Sequence, residues 1–233
     1  MRVLVTGHDG YIGAAVVRQL LAAGHEVSGL DAFFYEGCEL FPPRVRVPAL
    51  RLDIRDARPE HLKGVEAVVH LAALSNDPLG AIRPDVTREV NHDATVALAR
   101  AAKQAGVGRF VFASSCSMYG AAGTEPATEE APLRPLTAYS ESKARSEEAL
   151  RELGDGGFVP VLMRNATAYG VSPHMRVDLV LNNLVGWALT TGKVRILSDG
   201  TPWRPLIHIE DIARATLAML EAPAELVAGE AFN

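Results

Sequence analysis

A chain of 233 residues and 24.9 kDa, 48% hydrophobic and 22% charged, holds enough apolar material for one large domain with a small lobe and is too apolar for disorder. The formal net charge of -5, with no run of Lys or Arg, argues against a nucleic-acid partner but leaves room for an anionic small molecule held by a few placed arginines. The two cysteines, Cys38 and Cys116, lie far apart in no metal or disulfide pattern, and no apolar run is long enough to span a bilayer. The expected setting is therefore the cytoplasm, with no metal and no membrane.

Residues 3–5 are a short β-branched run and predict the first strand. A helix is expected over 12–23, stopped by Gly24. Further strands are expected at 26–30, 67–71, 109–113 and 158–163, with helices at 87–105 and 137–153. The strands are continuous apolar runs rather than alternating ones. That pattern, with strands and helices in turn, predicts an α/β fold with a parallel sheet covered by helices on both faces. Residues 33–48, aromatic and proline-rich, are expected to be a loop with a short strand near 44–47. Residues 121–135 are expected to be an exposed loop. After Gly170 the pattern changes to a helix at 178–190 and a strand at 194–197. Two units are expected: 1–170, carrying cofactor and catalytic groups, and 171–233, a substrate lobe interleaved with the first and incomplete.

Gly7, Gly10 and Gly13 are spaced three apart between the first strand and the first helix, with Tyr11 and Ile12 among them. Glycines there permit a tight turn and let the backbone approach a pyrophosphate, while the helix start offers free N–H groups to it. This makes the predicted sheet a Rossmann-type doubly wound one. Asp31, at the end of the second strand, can accept hydrogen bonds from ribose hydroxyls and would repel a 2′-phosphate, which favours NAD over NADP. Asp53 and Ile54 stand where a carboxylate meets the adenine amino group and an apolar side chain packs on its ring.

Tyr139 and Lys143 are four apart on a predicted helix and share a face. A phenol ordinarily ionises near ~10, and a neighbouring ammonium favours its phenolate form. Such a pair can exchange a proton with a substrate hydroxyl during hydride transfer. Ser115 follows the strand that ends at Ala113, and a hydroxyl at the carboxyl end of a parallel strand faces the ligand crevice. Singly, each feature has a bland reading: a turn, a solvated carboxylate, a chance spacing, a serine-rich bend. In this order they are far less expected by chance.

Together, Thr6 to Gly13, His70-Leu71-Ala72-Ala73, Asn91, Ser114-Ser115-x-x-Met118-Tyr119-Gly120 and Tyr139-x-x-x-Lys143 resemble the extended short-chain dehydrogenases. Within these, the likeness is to NAD-dependent nucleotide-sugar epimerases and dehydratases. The resemblance implies NAD as cofactor, a nucleotide-diphosphate sugar as substrate, Ser115, Tyr139 and Lys143 as catalytic residues, and Leu71, Ala72, Ala73 and Asn91 along the cofactor cleft. It also implies that Asn183 and Arg204 hold the diphosphate, and that helices 87–105 and 137–153 are the candidates to build a homodimer, their Ala-rich faces either packing closely there or covering the sheet. His208 is expected to pack rather than react, and Trp203 to stack on a base or fill the core. Thr167 stands where the family often has a sugar-contacting asparagine. Cys116 and Ser117 stand where the 4,6-dehydratases have Asp-Glu, which argues against that dehydration. The favoured expectation is epimerisation at C4 through a transient 4-keto sugar. A net oxidoreductase or dehydratase on a similar sugar is the alternative, and a non-catalytic NAD-sensing regulator a third.

Overall fold

The computed structural model describes residues 1–41, 45–75, 77–120, 126–196, 198–201 and 203–233, without the side chains of 77–79. The strands are β1 (Arg2–Thr6), β2 (Glu26–Asp31), β3 (Ala49–Arg51), β4 (Ala67–His70), β5 (Arg109–Ser115), β6 (Val159–Asn165), β7 (Thr167–Tyr169), β8 (Leu206–His208) and β9 (Ala231–Phe232). The helices are α1 (Gly13–Ala22), α2 (Asp77–Ile82), α3 (Pro84–Arg88), α4 (Ala94–Gln104), α5 (Ala138–Leu153), α6 (Val180–Thr191), α7 (Ile209–Glu221) and α8 (Ala224–Val227). Seven strands form one parallel sheet in the order β3-β2-β1-β4-β5-β6-β9, and β7 pairs with β8 in a second, two-stranded sheet. The strand order reverses at β1, and the chain crosses there from one half of the sheet to the other, the place where α/β sheets bind ligands.

The continuous apolar strands follow from burial on two faces. Val3, Val5 and Val69 face a core that includes Val16 and Leu20 of α1 and Ile212 of α7. Leu4, Val68, Phe110 and Phe112 face the other side, against Leu98 of α4 and Leu150 of α5. Each such side chain, taken fully from water, contributes about 1.5–3 kcal/mol. The expected doubly wound α/β sheet is the observed one. The alanines Ala94, Ala99, Ala101 and Ala102 of α4 belong to this core. The small-residue face therefore covers the sheet. The exposed faces of α4 and α5 carry Arg100, Arg145 and Glu148 instead, with Asp93 exposed just before α4.

Several boundaries differ from expectation. The helix foreseen over 87–105 starts at Pro84, which takes the first helical position where its missing N–H costs nothing, and it is interrupted by a π-helical turn over Glu89–Asp93. The strand foreseen near 44–47 is β3, further along the chain. Residues 45–47 are irregular, and Arg44 lies outside the described residues. An exposed edge strand carries no burial pattern to reveal it. Residues 194–196 form no strand, and Leu197 lies outside the described residues. After β8 the chain returns to the large sheet, with α7 against α1 and β9 beside β6. β7, β8 and α6 thus form a small layer between two passes through the main body.

Candidate active site

The turn between β1 and α1 depends on missing side chains. Gly7 has φ +69°, and a Cβ there would lie 2.8 Å from the Ala72 nitrogen and 2.9 Å from its Cα. A Cβ on Gly13 would run into the Gly7 carbonyl and His8. The turn can therefore lie flat against residues 71 and 72, where β4 ends. No side chain caps the start of α1 and its first turn holds no acidic residue, so the positive end of the helix is left open. Asp31 is fixed beside it: its carboxylate accepts the Asp9 N–H at 3.1 Å and the Phe33 N–H at 2.9 Å. The glycine cradle, the open helix end and the carboxylate fixed beside it fit a dinucleotide. We expect Gly7→Ala to introduce about 1–3 kcal/mol of backbone strain and contact. NAD titration calorimetry should show binding at least about tenfold weaker, and wild-type affinity would refute this account of the turn.

The other expected cofactor residues are placed as follows. The Tyr11 hydroxyl donates to the Gly170 carbonyl at 2.8 Å and accepts from the Asn182 amide at 3.0 Å. It is buried, which raises its pKa, and it ties the glycine turn to the small layer. Ile12 packs on the core beneath α1. Asp53 caps a short turn and is held by Arg55 at 2.8 Å, which lowers its pKa. Ile54 is buried in the core on the α4 side. Leu71, Ala72 and Ala73 run on from β4, half-buried. Asn91, fully buried in the π-helical turn, accepts the Leu74 N–H at 2.7 Å and donates to its carbonyl at 2.9 Å. It fixes the loop that follows β4.

Ser115 is the last residue of β5, two residues further than the sequence pattern reached. Its hydroxyl accepts the Ser117 N–H at 3.2 Å and pairs with the Ser117 hydroxyl at 2.9 Å. Thr137 caps α5 reciprocally with Ser140, which fixes the first turn and so the bearing of Tyr139. Lys143 follows one turn later. Its ammonium donates to the Ala113 carbonyl at 2.7 Å and lies 4.5 Å from the Phe112 ring centre and 5.8 Å from that of Tyr139. Lys143 thus links the helix carrying Tyr139 to the strand carrying Ser115. It is 2% exposed, and burial pulls its pKa down to about 7 while Glu147 acts in the opposite sense.

Three charged residues escaped sequence reading. Glu147, 0% exposed, receives the Arg164 guanidinium through contacts of 2.8 and 3.0 Å, and Arg164 also donates to the Tyr119 hydroxyl at 2.8 Å. Tyr139, Lys143 and Glu147 are successive steps of four on one helix face, a spacing that could have revealed Glu147. Arg176 donates to Ser75 at 2.9 Å and to Asp178 at 2.7 Å, bridging the cofactor loop and the segment before α6. It belongs to no motif, and nothing in the sequence marks it.

On the substrate side, Thr167 begins β7 and bonds to Pro205 through its backbone. Asn183 donates to the Val177 carbonyl at 3.1 Å and, with Asn182 and Trp187, lines a cavity of about 220 Å³. Arg204 is exposed, and its charge reaches Cys116, where it opposes the upward push of burial on that thiol. His208 caps α7 and packs edge-on against Tyr169. Trp203 is 84% exposed, so it does not fill the core.

Among the described residues no helix is long and apolar enough to cross a membrane. The family model for the NAD dependent epimerase/dehydratase family matches residues 3–233. The UDP-glucose 4-epimerase of Bacillus subtilis (strain 168) is 29% identical over 259 residues, spanning 100% of this chain and 76% of that protein. The UDP-glucose 4-epimerase of Corynebacterium glutamicum is 32% identical over 238 residues, spanning 95% and 71%. Among solved structures, the dTDP-glucose 4,6-dehydratase of Streptomyces venezuelae with NAD bound superposes with a TM-score of 0.85 at 33% identity, covering 100% of this chain and 74% of that one. The UDP-glucuronic acid 4-epimerase of Bacillus cereus, in complex with UDP-glucuronic acid and NAD, gives 0.85 at 27%, covering 100% and 77%. A glycine cradle shaped for NAD, a tyrosine–lysine helix against a serine-ended strand, and these likenesses agree: the chain belongs to the NAD-dependent epimerase/dehydratase family of extended short-chain dehydrogenases.

Proposed function

We propose that this protein is a nucleotide-sugar 4-epimerase, with UDP-glucose as the first substrate to test. The observation that carries the choice within the family is the turn after Ser115. The 4,6-dehydratases carry Asp-Glu at this place to move protons at C5 and C6. Here Cys116 is a thiol held protonated by burial, and Ser117 is engaged with Ser115. What remains is the machinery for one hydroxyl. Tyr139 takes the proton from the sugar C4 hydroxyl, and the Ser115 hydroxyl holds that oxygen by a hydrogen bond. Lys143, anchored on Ala113, supplies the positive charge that favours the phenolate. NAD, when bound, supplies a reversible hydride acceptor beside the reacting carbon. Tyr139 then returns its proton after the 4-keto sugar has presented its other face.

Thr167, Asn183 and Arg204 hold the nucleotide sugar in this reading, with the planar guanidinium of Arg204 on the diphosphate. The NAD contacts are Gly7, Gly10, Tyr11, Ile12, Gly13, Asp31, Asp53, Ile54, Leu71, Ala72, Ala73, Asn91 and Lys143, several of them through backbone. A homodimer through the outward faces of α4 and α5 is part of the proposal, supported by the opposite charges of Arg100 and Arg145 against Asp93 and Glu148. The cytoplasmic setting rests on two free cysteines. The experiment is incubation of UDP-glucose with NAD and enzyme, followed by NMR of the sugar and absorbance at the NADH band. UDP-galactose forming with flat absorbance is the expected result. NADH accumulating in step with product, or a 4-keto-6-deoxy sugar, would overturn it.

A further inference from the structure

The cofactor cleft is bordered by residues 71–74, which have no regular secondary structure of their own. Asn91 holds this segment at Leu74. A second tether runs through His70, whose ring is 1% exposed between two hydroxyls. Thr6 Oγ1 lies 2.6 Å from Nδ1, and Thr95 Oγ1 lies 2.8 Å from Nε2. Beyond them, Thr6 Oγ1 meets the Ala72 N–H at 3.3 Å and Thr95 Oγ1 meets the Asn91 carbonyl at 2.9 Å. The Asn91 end fixes the proton on Nε2, and in a neutral ring the Thr6 hydroxyl must then donate to Nδ1. A backbone N–H only donates, and a carbonyl only accepts. Thr95 therefore donates to Asn91 and accepts from Nε2–H. Thr6 accepts from Ala72 and donates to Nδ1.

We propose that His70 is a positioning residue whose neutral, Nε2-protonated ring locks residues 71–74 in the shape that receives NAD. A second ring proton would aim an N–H at Thr6, and the Thr6 hydroxyl hydrogen would lose its acceptor in a dry site. Around the ring, β1 presents Thr6, α4 presents Thr95, and β5 presents Phe110 and Phe112 with ring centres 5.7 and 5.8 Å away. The charge that reaches it comes from Lys143 of α5. Burial first, and that ammonium second, hold the imidazole down to about 3. His70 thus leaves Lys143 as the charge that serves Tyr139, and its tautomer is single over the working range.

The test has two arms on the full chain. Ring ¹⁵N NMR, with His70 identified by its loss in His70→Phe or by its coupling to a Thr6→Ser change, is expected to show a proton on Nε2 and none on Nδ1, unchanged from about pH 5 to about pH 9. A ring that titrates there, or one protonated on Nδ1, overturns the proposal. In the second arm, Thr6→Val keeps the side-chain shape and removes the hydroxyl. NAD binding by calorimetry is expected to weaken by about tenfold or more, with Thr6→Ser near wild type and UDP binding within about twofold. General loosening of the fold would weaken both ligands together. Unaltered NAD binding by Thr6→Val overturns the proposal. The NMR arm is independent of the substrate, so its failure is distinct from failure of the epimerase reading.

Discussion

Replacing Tyr139 by Phe is expected to slow conversion of UDP-glucose by about 10³-fold, within the span that a positioned acid–base group contributes. The ring keeps its packing, and only the proton-carrying oxygen is lost. Because α5 is set by the Thr137–Ser140 cap and by Lys143 on Ala113, neither of which involves the phenol oxygen, the variant should fold as wild type. NAD affinity by calorimetry should stay within about twofold, since in the proposed reaction the tyrosine acts on substrate. Turnover within about tenfold of wild type would remove Tyr139 from the reaction. A matched loss of NAD affinity would make it a cofactor residue instead.

The largest expected effect on stability is at Glu147. Both it and Arg164 are buried, at 0% and 4% side-chain exposure, and Arg151 adds a further contact at 3.4 Å. Removing one partner of a buried pair leaves the other charge uncompensated, at about 3–5 kcal/mol. Glu147→Ala should therefore lower the melting temperature by roughly 6–20 °C for a chain of this size. The pH dependence has a definite sign. The folded pKa of Lys143, about 7, lies below its unfolded value, so the unfolded chain binds more protons between the two. Wild-type stability linked to Lys143 thus falls with pH down to about 7 and then levels off. Without Glu147 that folded pKa drops further, and the loss continues below it. Melting curves at descending pH should show the deficit of the variant growing below neutrality, and a deficit that shrinks there would refute the coupling of Glu147 to Lys143.

The sheet and the cofactor turn were legible because both are local. Continuous apolar strands and three glycines at fixed spacing are properties of a few neighbouring residues. The same holds for Tyr139 and Lys143, which one helical period places on one face. β3 was misplaced because an exposed edge strand owes its position to pairing of Gly29 with Ala49, not to its own side chains. The α4 alanines left two partners open, a second subunit or the sheet, and only the folded chain sets them in the core beside Phe110 of β5.

The amino-acid order by itself determined the parallel α/β scheme, the dinucleotide turn, and the spacing of the residue types proposed to handle a hydroxyl proton. These depend on backbone geometry and periodicity within one element or across one turn. Only the tertiary structure decided how charge and protons are held around them: Glu147 against Arg164, Lys143 on Ala113, and the His70 ring between Thr6 and Thr95. Those partners lie up to 64 residues apart. Burial gives such contacts their strength, by removing the water that would otherwise satisfy each group, and burial belongs to the folded chain rather than to any segment of it.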